Sequence, residues 1–263
     1  MLEKQRQLLM LEILAEKRFM TVKDFCLQLN ASEATIRRDI SKLASEQALK
    51  KIRGGAESIM EGQKFPRLLA GSVFYADRER QSGKKLRIAQ KAVDLCKDGD
   101  SITINGGSST FMMGEFLQKR RMSILTNSFE LAHFLVENSE NQISLPGGEI
   151  YRKQSLILSS FEHDVIEYYH TSKMFLGTPG VGEFGVMESD PLLIRQEKKL
   201  MQLADQLVVL VDSTKLGNRS NFVLCPLDEV DILITDSDAD EKYLRLFADH
   251  DIEVIIVDAS GTD

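Results

Sequence analysis

Residues 105–110 read Asn-Gly-Gly-Ser-Ser-Thr, a run suited to holding an anion. Its glycines let the backbone close on a phosphate, while the hydroxyls and the N–H groups of a following helix start can donate to it. The lysine of a nucleotide-triphosphate loop is absent, so the chemistry indicated is capture of a small phosphate. Three other turns have a similar character: Thr126-Asn127-Ser128, Pro146-Gly147-Gly148 and Asp212-Ser213-Thr214-Lys215. Each alone reads as an ordinary cap. All four at strand ends predict one pocket for a phosphorylated, hydroxyl-rich ligand. Gly107, Ser108, Ser109 and Thr110 are the candidate phosphate cradle, and Lys215 adds a charge-assisted contact. Asn127, Gly147, Gly148, Arg152 and Gln154 are the candidates for ring hydroxyls and carbonyls.

A second set of residues suits a different partner. Residues 33–46 predict a helix that buries Ile36, Ile40 and Leu43 and turns Thr35, Arg37, Arg38 and Ser41 outward. A helix fits the major groove, where Arg can donate twice to guanine and Thr or Ser can reach base or phosphate. Thr21 and Ser32 read as N-caps of this helix and the one before it, whose apolar face is Val22, Phe25, Cys26 and Leu29. Glu33 complements the helix dipole in the first turn. An earlier helix over 2–17 offers Leu9, Ile13 and Leu14 to the same core. Downstream, Leu49–Glu57 predicts a hairpin in which Gly54-Gly55 supplies positive φ and Lys50, Lys51 and Arg53 lie along a phosphate backbone. Helix, turn, helix and basic wing make a winged helix-turn-helix. Its candidate DNA-facing residues are Thr21, Ser32, Glu33, Thr35, Arg37, Arg38, Ser41, Lys50, Lys51, Arg53, Gly54 and Gly55.

The rest of the 263 residues must position these two sites. Net charge is −7, which excludes a generic polyanion binder, yet it is unevenly spread. Residues 1–58 hold 11 Lys/Arg and 8 Asp/Glu; the remainder holds 22 and 32. A basic head on an acidic body predicts nucleic-acid contact through one part only. Residues 59–83, with Gly62, Pro66, Gly71 and mixed charge, read as a linker. From 84 to 263 strands are expected at Ile102–Asn105, Ser123–Thr126, Gln142–Leu145, Lys173–Leu176, Leu207–Val211, Ile232–Thr235 and Val254–Val257. Helices over 109–119, 129–137, 191–205 and 240–249 complete a largely parallel α/β domain, with ligands expected at the carboxyl ends of its strands. The four histidines and three scattered cysteines lack metal-ligand or disulfide spacing, so neither a metal nor a cofactor is expected. No apolar run is long enough for a bilayer, and a cytoplasmic protein is expected.

Thr35-Ile36-Arg37-Arg38-Asp39-Ile40 after Ser32, with Arg53-Gly54-Gly55-Ala56 downstream, resembles the signature of the DeoR family of bacterial transcriptional regulators, with Ile40 in place of the common Leu. In that family this stretch is the DNA-reading helix. The resemblance continues from about Lys85 to Asp236, where the family's effector domain is related in fold to ribose-5-phosphate isomerase. Gly107-Ser108-Ser109-Thr110 is similar to its Gly-Ser-Thr-Thr phosphate loop, and Asp212-Ser213-Thr214-Lys215-Leu216-Gly217 to another of its turns. One stretch departs. The family's Gly-Ala-Asp-Gly-Ile-Asp is Gly177-Thr178-Pro179-Gly180-Val181-Gly182 here, without either aspartate. Several segments, among them Ile104-Asn105 and Gln154-Ser155, are most similar to the branch that controls L-ascorbate utilisation. That likeness implies L-ascorbate 6-phosphate as the first effector to consider.

Two functional classes compete. A sugar-phosphate isomerase with an N-terminal extension would need a general base and enediolate stabilisation. The relevant loop offers Pro179 and Gly182, with Glu183 and Glu188 the nearest carboxylates, so no catalytic residues are assigned. A ligand-responsive repressor of a sugar or sugar-acid operon accounts for both sites. One head makes few DNA contacts, so a homo-oligomer, dimer or tetramer, is expected on operator DNA.

Overall fold

The computed structural model describes residues 6–7, 9–11, 13–14, 19–29, 31–45, 48–57, 81–159 and 165–259. The chain divides into two compact units, Met1–Leu69 and Ala70–Asp263. Most of the expected linker lies outside the described residues. Its last part does not: helix α3 below begins at Ser82.

The first unit packs helical residues between 6 and 14, strand β1 (Phe19–Thr21), helices α1 (Val22–Leu29) and α2 (Glu33–Ser45), and the hairpin β2 (Lys50–Ile52) and β3 (Gly55–Glu57). Its core joins Met10, Leu14, Phe25, Leu29, Ile36, Ile40 and Leu43. The first helix turns Gln7, Met10 and Leu14 inward and leaves Leu9 38% exposed, correcting the expectation that Leu9 packs. Positions 7, 10 and 14 follow one helical stripe that position 9 does not share.

β1 adds to the hairpin in the order β1-β3-β2, so the wing is a three-stranded antiparallel sheet. Of Gly54 and Gly55, only Gly54 has positive φ, at 87°. Gly55 serves another purpose, because a Cβ there would stand 2.1 Å from the Met20 carbonyl oxygen across the ladder. The pair therefore divides the work, one residue turning the chain and the other letting two strands approach.

In the second unit, all seven expected strands form one sheet. They are β4 (Ser101–Ile104), β5 (Ser123–Thr126), β6 (Gln142–Ser144), β9 (Lys173–Gly177), β12 (Leu207–Leu210), β14 (Ile232–Asp236) and β15 (Glu253–Val257). The order is β15-β14-β12-β9-β4-β5-β6, and every pairing is parallel. Both faces are apolar: Val208 and Leu210 pack into one core, Val209 and Val211 into the other. Such burial requires cover on both sides. α3 (Ser82–Asp94), α4 (Ser108–Phe111), α5 (Gly114–Leu117) and α6 (Phe129–Asn138) cover one face. α7 (Pro191–Met201), α8 (Glu241–Ala248) and the small antiparallel sheet β10 (Gly180–Gly182), β11 (Gly185–Glu188) and β13 (Phe222–Cys225) cover the other. A hairpin, β7 (Glu149–Tyr151) with β8 (Leu156–Leu158), follows β6.

The chain winds outward from β4 through β5 to β6, then restarts on the other side of β4 with β9. The carboxyl ends of β4 and β9 are thus the switch point of the sheet, where open α/β folds form a crevice. Residues 105–110 begin there.

Candidate DNA surface and effector pocket

Helix α2 is held by its caps and its buried stripe. Ser32 Oγ accepts from Thr35 N at 3.3 Å, and Thr21 Oγ1 accepts from Asp24 N at 3.2 Å at the start of α1. Arg37, Arg38 and Ser41 are exposed on one side. Arg37 pairs with Glu33 one turn earlier at 3.2 Å, with both side chains more than half exposed, so the pair is weak and yields readily to a better anion. Lys51 on β2 donates to Ser41 Oγ at 2.9 Å, tying the wing to the cationic side of α2. Lys50 pairs with Glu57 across the hairpin.

Asp39 stands apart from its neighbours in the Arg37-Arg38-Asp39 run. It is 2% exposed, accepts from Arg6 Nε at 2.6 Å and from Gln7 Nε2 at 3.1 Å, and so fastens the first helix to α2.

In the second unit, Asn105 at the end of β4 is fully buried and bridges the switch point. Its Oδ1 accepts from Gly177 N at 2.9 Å, and its Nδ2 donates to Glu197 Oε1 on α7 at 2.9 Å. Asn127, also fully buried, accepts from Gly106 N at 2.8 Å. A Cβ on Gly106 would meet Leu156 Cδ2 on β8 at 1.8 Å, so any side chain here requires Leu156 to shift. Ser108, Ser109 and Thr110 are all buried. The helix expected over 109–119 is instead two four-residue helices. So short a helix sums few peptide dipoles, and an anion here depends on local N–H and O–H donors rather than on a macrodipole.

Two buried polar atoms beside this loop, Asn127 Nδ2 and Glu197 Oε2, have no partner among the described residues. An unsatisfied buried polar group costs about 1–3 kcal/mol, so these two atoms set the switch point apart from an ordinary satisfied core. Burial, and then the Glu188 carboxylate, push the Glu197 carboxyl up to about 8, against the opposing bond from Asn105.

The other expected contacts are distributed around this centre. Lys215 lies in the turn that follows β12, and β12 is two strands from β4 in the sheet. Gln154 is half-buried and Arg152 exposed at the tip of the β7–β8 hairpin, which is latched to α7 by the Tyr151 hydroxyl donating to Asp190 at 2.7 Å. Gly148 has a structural reason of its own: its φ is 147° and a Cβ would stand 2.2 Å from the Leu158 carbonyl oxygen. Gly147 is exposed. Of the two carboxylates weighed as a base, Glu183 pairs with Arg219 and Glu188 accepts from Ser189 N and Asp190 N at 2.6 and 2.9 Å.

A separate cavity of about 390 Å³ is lined by Glu183, Phe184, Gly217, Arg219, Lys242 and Tyr243 among others, and by none of the expected effector residues. Its cations are engaged, Arg219 by Glu183 and the Phe184 ring, Lys242 by Asp240 and the Tyr243 ring.

Residues 6–61 match the DeoR-like helix-turn-helix domain, and residues 80–237 match the DeoR C-terminal sensor domain. The chain belongs to the DeoR family. HTH-type transcriptional regulators UlaR from Shigella dysenteriae serotype 1 and Escherichia coli O1:K1 are each 34% identical over 257 residues, covering 98% of this chain and 100% of theirs. Among solved structures, ribose 5-phosphate isomerase A from Methanocaldococcus jannaschii is 23% identical, with 52% of this chain and 55% of that chain covered and a TM-score of 0.39. The isomerase from Neisseria gonorrhoeae is 16% identical over 51% and 53%, with a TM-score of 0.37. This DeoR-family chain is a DNA-binding transcriptional regulator with a sensor domain, not an enzyme. No helix among the described residues is long and apolar enough to cross a membrane.

The sensor unit of this DeoR-family chain also contains an ion pair that sequence reading missed. Lys84 on α3 reaches Asp236 at 2.7 Å, Asp238 at 2.6 Å and Ser213 Oγ at 2.9 Å. Ser213 in turn donates from N and Oγ to Asp236, so the Asp212–Lys215 turn is anchored to the first helix of the sensor. Burial alone would raise the Asp236 carboxyl, but Lys84 and the Ser213 donors hold it below its ordinary value. That stability is present above the ordinary carboxylate range and is lost as pH falls through the depressed value. Lys84→Met is therefore expected to cost about 1–2 kcal/mol and to move the acid unfolding limb to higher pH. Thermal melts of both proteins between pH 3 and 7 check this. Parallel acid limbs at the same pH would contradict it.

Proposed function

We propose that this regulator represses a sugar or sugar-acid utilisation operon and releases operator DNA when a phosphorylated sugar or sugar acid binds its sensor domain. In this reading residues 1–58 bind DNA, while residues 84–263 bind the effector and assemble the chain into a cytoplasmic dimer or tetramer. The phosphate sits on Gly107, Ser108, Ser109 and Thr110, with Lys215 reaching in from the end of β12. Asn127, Gly147, Gly148, Arg152 and Gln154 serve the rest of the ligand. The observation that carries the reading is the set of orphaned buried polar atoms beside the 105–110 loop at the sheet's switch point. The segment-level resemblance to regulators of L-ascorbate utilisation makes L-ascorbate 6-phosphate the first compound to test.

Repression and induction are linked: an effector that lowers DNA affinity must itself bind less tightly to the DNA complex, by the same factor. Calorimetry with L-ascorbate 6-phosphate and L-ascorbate, beside DNA release followed by fluorescence anisotropy, tests the reading. Ser108→Ala/Lys215→Ala removes one hydroxyl donor and one charge, and a loss of roughly 100-fold in effector affinity is expected with operator affinity unchanged. Equal binding of the phosphorylated and unphosphorylated compounds, or a double variant that binds as the parent does, would displace the phosphate site.

A further inference from the structure

We propose that Glu197 is a specificity-determining residue of the effector pocket, its open Oε2 hydrogen-bonding the acidic end of the ligand, so that the pocket takes phosphorylated sugar acids in preference to phosphorylated polyols. The inference rests on the pocket proposed above and narrows its ligand class.

The argument begins from which atoms remain unsatisfied. Asn127 Oδ1 accepts from Gly106 N, so its unpartnered atom is the NH₂ donor. Asn105 Oδ1 accepts from Gly177 N, so Asn105 presents its NH₂ to Glu197 Oε1 and leaves Glu197 Oε2 open. A carboxyl whose first oxygen accepts and whose second carries the proton is a donor at Oε2. Two donors therefore flank the consecutive residues Asn105 and Gly106, with no satisfied acceptor opposite either. A sugar hydroxyl both donates and accepts, whereas a carboxylate or enolate oxygen only accepts, and an O–H···O⁻ bond is about twice as strong as a neutral one.

Glu197 stays neutral because of what packs on it. Around α7, strand β11 brings Glu188, whose carboxylate is already satisfied by Ser189 and Asp190. β13 brings Cys225, whose thiol burial pushes up to about 12 and which remains uncharged. β8 brings only Leu156–Leu158, and β4 brings Asn105. The cation nearest in sequence, Lys198, acts on Cys225. Glu197 is thus about half ionised near pH 8.

The full-length protein is titrated calorimetrically with 6-phosphogluconate, glucitol 6-phosphate and L-ascorbate 6-phosphate from pH 7 to 9.5, a range in which the phosphate stays dianionic. The two acids are expected to bind at least tenfold more tightly than the polyol. Their affinity should be level near pH 7 and fall about tenfold per pH unit above about 8, as the neutral fraction of Glu197 falls. Binding above pH 8 should take up close to one proton, measured on the parent protein in two buffers of different ionisation enthalpy. Glu197→Gln, which keeps a neutral donor, should bind near the parent's neutral-pH affinity and lose the alkaline decline. Equal affinity for acid and polyol, absence of proton uptake, or an undiminished alkaline decline in Glu197→Gln overturns the role of Glu197 while the Ser108 dependence upholds the pocket. If no phosphorylated compound binds in a Ser108-dependent way, the pocket and this inference fall together.

Discussion

Replacing Arg37 and Arg38 together with alanine should weaken operator binding by about 2–6 kcal/mol, at roughly 1–3 kcal/mol for each base-reading arginine. Both side chains are exposed on α2, and among the described residues the only ionic hold on Arg37 is the solvated pair with Glu33. Neither arginine is needed for the core, which is made by Ile36, Ile40 and Leu43 on the opposite face. The variant should therefore keep its melting temperature while losing sequence preference. Lys51 and Arg53 on the wing offer a contrast: their loss should weaken all DNA alike and lower the salt slope by about one per phosphate contact. Fluorescence anisotropy with operator and scrambled duplexes at several salt concentrations separates the two. An Arg37→Ala/Arg38→Ala protein that still discriminates between the duplexes would show that α2 does not read the bases.

The sheet was legible because parallel strands buried on both faces leave continuous apolar runs, such as Leu207-Val208-Val209-Leu210 and Ile232-Leu233-Ile234. β10 and β11 escaped notice because Gly180, Gly182 and Gly185 remove from them the side chains that would show a period of two. The candidate site was legible at its glycines and hydroxyls, since those residue types announce close approach and donation. It was not legible at Glu197. In Arg195-Gln196-Glu197-Lys198-Lys199 that carboxylate looks like part of a solvated charged face, and only packing reveals otherwise. A signal was nonetheless present, for Leu193, Gln196, Glu197 and Leu200 fall at i, i+3, i+4 and i+7. Asp39 follows the same rule with Ile36, Ile40 and Leu43. A charged residue inside an apolar helical stripe is buried with it and must find a partner.

Asp39 has found that partner in Arg6, and removing it should destabilise the first unit. Asp39→Ala would leave the Arg6 guanidinium, 13% exposed, in place without its carboxylate, and would take an acceptor from Gln7 Nε2 as well. Breaking a buried pair from one side costs about 3–5 kcal/mol when nothing else meets the remaining charge, and Arg6 keeps other contacts, so a loss of about 1–3 kcal/mol is expected. The pair spans 33 residues of sequence, so its loss frees the first helix from α2 rather than loosening α2 alone. DNA binding should fall too, but for a different reason than in the arginine variant: the reading helix loses its support instead of its contacts. Hydrogen exchange distinguishes them. In Asp39→Ala the amides of α1 and α2 should exchange faster while those of β4 and β12 in the sensor unit do not change. In Arg37→Ala/Arg38→Ala no amide should. Unaltered protection of α2 in Asp39→Ala, or a loss of binding there with full protection, would mean that Asp39 acts on DNA directly and that its burial against Arg6 contributes little.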